Sequence, residues 1–161
     1  DGTRPCVDVS GGYHGHATDV FDFHCYHSPE KLAAHLKALS ERDELVMDKT
    51  YAPAWTGENL PYAGQPTNAS EYGGMAYAAD GKKGWGYSSM QSEDAFVTSY
   101  VNLTSQLLDC EKLSGFCYTQ LYDIEQEQNG LLSYDRSCKL SESAMQTIAE
   151  CNKRPAKIEQ I

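Results

Sequence analysis

The sequence predicts an α/β protein in which short strands alternate with helices, and three observations carry that expectation. Short runs rich in β-branched and aromatic residues are separated by stretches whose apolar residues recur at helical spacing. Glycine and polar residues gather just after the short runs, where sheets of parallel strands place their sites. The chain has 161 residues, enough for one hydrophobic core.

The first run, over 5–10, carries Val7 and Val9 and stops at Gly11-Gly12, which reads as a buried strand ending in a turn. A second strand is expected over 18–26, where Val20, Phe21 and Phe23 supply the apolar content and Asp22, His24 and Tyr26 gather towards the end. Ser28 then reads as an N-cap with Pro29 at the first helical position, and Leu32, Leu36 and Leu39 share one face, so a helix is expected over 29–42. From 43 to 66 the pattern dissolves into Pro, Gly and aromatic residues, a long loop of the kind that carries function. A third strand over 67–71 runs to Gly73-Gly74. After the loop Gly84-Trp85-Gly86-Tyr87, Ser92 opens a second helix whose stripe is Phe96, Tyr100, Leu103 and Leu107, with an end expected near Lys112. A fourth buried strand is expected over 115–120, and Ser141 caps a last helix carrying Met145, Ile148 and Ala149.

Four strands and three main helices in this order imply parallel pairing through right-handed crossovers. A closed (β/α)8 barrel takes about 250 residues, so the length fits half a barrel or a small open sheet, one domain over 1–161. Neither phosphate-binding glycine motif occurs, which removes the usual nucleotide reading. A net charge of −10 and a pI near 4.8 have the wrong sign for a nucleic acid or an anionic membrane as partner. No run approaches the roughly 18 apolar residues of a membrane span. The start, from Asp1 to Pro5, has neither an initiator Met nor a signal pattern, so a mature form or an excised piece is expected. Six cysteines without a C-x-x-C pair favour reduced thiols and a cytoplasmic lean.

Chemistry concentrates at Ser70-Glu71-Tyr72-Gly73-Gly74, where a carboxylate closes a strand beside glycines that let a ligand approach the backbone. The competing reading of Glu71 is a charge marking the strand's exit into solvent. His14, His16, His24 and His27 surround Cys25, yet H-x-H and H-C-x-H match no standard zinc spacing, so no metal and no cofactor are expected. Asp123, Glu125 and Glu127 lack the glycine and the ligand ladder of a calcium loop and read as a barrel-end hydrogen-bond network or a solvated turn. Trp55, Trp85 and Tyr87 are loop aromatics whose amphipathic rings serve either ligand stacking or local packing.

Four segments in order carry a resemblance: Arg4-Pro5-Cys6-Val7-Asp8-Val9-Ser10-Gly11-Gly12, Asp22-Phe23-His24-Cys25-Tyr26, Ala69-Ser70-Glu71-Tyr72-Gly73-Gly74-Met75-Ala76 and Gly115-Phe116-Cys117-Tyr118-Thr119-Gln120-Leu121. They resemble barrel strands five to eight of glycoside hydrolase family 2, the β-galactosidases and β-glucuronidases. Asp123 to Leu131, followed by Tyr134-Asp135-Arg136, is similar to the stretch after strand eight in a bacterial branch. The resemblance implies the C-terminal half of a catalytic TIM barrel and a retaining glycosidase acting on a β-glycoside or oligosaccharide. It places the nucleophile on Glu71, and on Tyr26 a donor to that carboxylate. His24 falls on the sugar-site rim, and Tyr118 where the family often has a tryptophan. The acid/base belongs to an Asn-Glu pair on a strand that would precede residue 1; Glu58-Asn59 has the reverse order and does not replace it. Retention needs the two carboxyl groups about 5–5.5 Å apart, so the expected partner is an N-terminal half-barrel, or a second copy in a homodimer. No Asn-x-Lys follows strand eight, which tilts the sugar towards galactosides or other neutral units. The alternative function is a non-catalytic carbohydrate-binding or assembly module on the same fold.

Overall fold

A computed structural model describes residues 2–15, 17–45, 60–78 and 84–160. The elements are β1 (Phe21–Cys25), α1 (Pro29–Arg42), β2 (Thr67–Gly73), β3 (Met75–Ala76), β4 (Ser88–Ser89), α2 (Glu93–Leu108), β5 (Leu113–Thr119) and α3 (Glu142–Asn152), followed by a 3-10 turn at Lys157–Gln160. β1, β2 and β5 form a parallel sheet in the order β1-β2-β5, and β3 pairs with β4, also parallel. The fold is thus mixed α/β with three helices and parallel strands. No helix among the described residues is long and apolar enough to cross a membrane.

The helices begin at their caps. The side chains of Ser28, Ser92 and Ser141 accept hydrogen bonds from the backbone N–H of Lys31, Ala95 and Ala144, and Pro29 stands in the first turn of α1. Leu32, Leu36 and Leu39 of α1 are 0%, 7% and 1% exposed. Burying each stabilises by about 2–3 kcal/mol against about 1 kcal/mol for the cap, so packing holds the helix and the cap fixes where it starts. In α2 the predicted stripe of Phe96, Tyr100, Leu103 and Leu107 is buried, and the helix ends at Leu108, short of Lys112. α3 differs from expectation: its inward face is Ala144, Ile148 and Cys151, while Ala149 is exposed. α2 packs against both α1 and α3.

The sheet contains three of the four expected strands. Residues 5–10 are not a strand, although they run beside the approach to β1. One backbone bond, from Asp19 N–H to the Cys6 carbonyl (2.8 Å), joins them there; Cys6 N–H goes to the Asp19 carboxylate (2.8 Å) and Asp8 N–H to the Thr18 hydroxyl (3.4 Å). Side chains that take the backbone donors leave no ladder to propagate, and Val7 is 48% exposed. β5 corrects the expectation of a fully buried strand, for Ser114 and Cys117 face outward at the sheet's edge. No disulfide joins any of the six cysteines.

Candidate active site at the strand ends

The two faces of the sheet differ in chemistry. On β1, Phe21, Phe23 and Cys25 are buried on one side, and Asp22 and His24 alternate with them. On β2 the alternation is broken deliberately: Asp22 pairs with Asn68 and Phe23 with Ala69, but His24 pairs with Glu71, so Ser70 is an inserted residue. This β-bulge turns both Ser70 and Glu71 away from the helices and returns Tyr72 to the core, where its hydroxyl meets Thr104 of α2 at 2.7 Å. A regular strand would have separated Ser70 from Glu71 by a face.

Glu71 therefore stands at the end of the central strand, its side chain 42% exposed. Tyr26, one residue past β1, donates its phenolic proton to Glu71 Oε2. The same phenol oxygen is 3.3 Å from the Thr119 hydroxyl at the end of β5, so residues from all three strands meet here. His24 Nδ1 lies 3.4 Å from Glu71 Oε2, and its Nε2 is 3.2 Å from Ser10 Oγ. Burial, then the hydrogen bond to Glu71, push the Tyr26 phenol well above its ordinary range. It stays a proton donor through neutral pH. Gly11 makes room for this arrangement: at φ +66° it approaches His24 so closely that a Cβ would lie 2.0 Å from the ring.

An aromatic ledge adjoins the carboxylate. Tyr87 stacks on Tyr26 with ring centroids 3.5 Å apart and planes 7° from parallel. Trp85 meets Tyr87 edge-on at 5.0 Å, and both outer rings are about half exposed. Gly74, at φ +57°, permits the stack, since a Cβ there would meet Tyr87 at 2.6 Å and Tyr26 at 2.9 Å. Tyr118 is not brought to this ledge. It pairs with Tyr72, its ring packs against Tyr72, Tyr100 and Phe96 in the core, and its hydroxyl donates to the Asn129 carbonyl at 3.1 Å. The alternation of β5 turns that partly buried ring toward the helices rather than onto the ledge. Trp55 and the Glu58-Asn59 pair lie outside the described residues.

The sequence reading undervalued Asp22, which is 2% exposed. Its carboxylate accepts from Gly11 N–H (3.0 Å), Asn68 Nδ2 (2.9 Å) and Ser70 Oγ (2.6 Å), tying the turn before β1 to the bulge that aims Glu71. Its alternation with His24 and Tyr26 was the available signal. Asn68 is thus engaged inside the fold. His14 is fully buried between Asp8 (2.6 Å) and the Asp22 carbonyl (2.9 Å), a supporting role that separates it from Cys25. Asp123 accepts hydrogen bonds from Lys139 Nζ and Gly130 N–H.

Cys25, His27 and His35 converge on the opposite side of β1, each offering a ligand atom within 4.8 Å of the others. His35 lies in the middle of α1, and no local spacing links it to Cys25.

No family model matches the sequence, and no curated protein matches it. Among solved structures the chain is similar to the β-glucuronidase of Bifidobacterium dentium in complex with coumarin-3-O-glucuronide, at 20% identity and a TM-score of 0.41. That likeness covers 57% of this chain and 15% of the length of the other.

Proposed function

We propose that this chain is the nucleophile-bearing part of a retaining glycosidase acting on β-glycosides, with the galacto configuration as the first substrate to try. The observation that carries the reading is the hydrogen bond from Tyr26 to Glu71 at the C-terminal ends of adjacent parallel strands. Tyr26 and His24 both engage Oε2, which leaves Oε1 to attack the anomeric carbon. The glycosidic C–O bond breaks with its electron pair on the leaving oxygen, and a glycosyl ester forms on Glu71. Water, activated by a second carboxyl group, then releases the sugar with retained configuration. The family resemblance assigns that second group to an Asn-Glu pair outside these 161 residues, so the complete cycle needs a complementary half-barrel or an equivalent chain. The ledge of Tyr87 and Trp85 supplies apolar faces for the C–H surface of a sugar ring.

The test bypasses the missing acid. A dinitrophenyl 2-deoxy-2-fluoro-β-galactoside has a leaving group that needs no proton, and its fluorine slows breakdown of the glycosyl ester. The expected result is one sugar adduct, mapped by peptide mass spectrometry to Glu71 and absent from Glu71→Gln. An adduct that persists in Glu71→Gln removes this residue from the mechanism. The half-exposed ledge also favours a second reading, carbohydrate binding without chemistry: no adduct, together with methyl β-galactoside binding that Trp85→Ala abolishes, would establish it.

A further inference from the structure

We propose that Cys25, His27 and His35 form a zinc site clamping the end of β1 to α1, on the side of the strand away from Glu71. Cys25 closes β1, His27 immediately precedes the Ser28 cap, and His35 comes from the second turn of α1. Their ligand atoms lie within 4.8 Å of one another, and the two imidazoles stand perpendicular with centroids 4.8 Å apart. Tetrahedral zinc with bond lengths of about 2.0–2.3 Å needs its ligands about 3.3–3.6 Å apart, so a contraction of about 1 Å by side-chain rotation closes the site. The corner is already fixed by the Ser28 cap and by Pro29.

The donor set is chemically selective. One thiolate and two neutral imidazoles suit zinc and exclude calcium and magnesium, which take oxygen. A buried cysteine among leucines is by itself an ordinary core residue; here two imidazoles bring a ring nitrogen each within 4.8 Å of its sulfur. On binding, the Cys25 S–H bond breaks, its proton leaves to solvent and a zinc–sulfur bond forms. Water fills the fourth position. Cys25 is 2% exposed, whereas both histidines are half-buried, so the ion has a way in from the helix side. The expectation of no metal rested on spacing along the chain, and the third ligand comes from a helix face that spacing does not reveal.

Cobalt(II) titration of the full chain under reducing conditions tests this. One equivalent should produce the sulfur-to-cobalt charge-transfer band and the strong visible bands of four-coordinate cobalt, and zinc should bleach both. Cys25→Ala should abolish the charge-transfer band. His35→Gln, at a half-buried helix position, should weaken cobalt binding by about a hundredfold or more, beyond what losing a mere outer partner costs. If Cys25→Ala fails to fold by circular dichroism, His35→Gln decides. No charge-transfer band in the parent chain, a band that survives Cys25→Ala, or unchanged affinity in His35→Gln would each overturn the proposal.

Discussion

Two effects push the Tyr26 phenol the same way, desolvation first and the Glu71 carboxylate second. Tyr72 and Tyr118 are raised too, chiefly by burial. In the unfolded chain all three return to the ordinary phenol value near 10. Above that pH the unfolded state sheds protons that the folded state keeps, so the stability these groups contribute is intact below about pH 10 and lost as pH climbs towards the folded values. The thermal midpoint is therefore expected to fall steeply above about pH 10, with tyrosinate absorbance appearing together with unfolding. Tyr72→Phe should flatten that slope. Titration of these phenols near pH 10 with no change in the midpoint would contradict the burial argument.

The connection between β5 and α3 holds a buried ion pair. Lys139 Nζ bonds Asp123 Oδ1 at 2.8 Å and the Gln128 carbonyl at 2.7 Å, and both side chains are nearly excluded from water. Burial pulls the Lys139 ammonium below its ordinary pKa while Asp123 opposes that pull. A buried pair adds little net stability, but breaking one strands a charge. Lys139→Met is expected to cost about 3–5 kcal/mol by urea denaturation, and adding Asp123→Asn should recover part of the loss. A cost below about 1 kcal/mol for the single variant would show that water reaches the carboxylate. The bulge in β2 acts at the same scale, since one inserted residue decides which face carries Glu71.

At the scale of the molecule, β1 and β5 each have one neighbour in the sheet among the described residues, which supply no ladder partner at its two edges. Eight strands contributed four by four would close a barrel, but the sheet supplies three, so self-pairing has to recruit residues 5–10 or stop at edge-to-edge contact. Association of the purified chain is expected by light scattering at micromolar concentration, without efficient turnover, because two copies of Glu71 do not make an acid/base pair. A monomer at every concentration would show that the residues flanking the sheet cover its edges.

The sequence by itself determined the alternation of elements, the bounds of α1, the serine caps and the place of Glu71 towards the end of a strand. These follow from contacts within a few residues: a cap reaches three residues on, a helix stripe repeats every three or four, and a glycine pair marks a turn. Tertiary structure decided what depends on distant partners. The bulge that sets Ser70 and Glu71 on one face exists only in register with β1. Tyr118 turned to the core because its strand pairs with Tyr72, and residues 5–10 lost their ladder to the side chains of Thr18 and Asp19. His35 reached Cys25 and His27 because α1 folds back along β1, a meeting that no local pattern encodes.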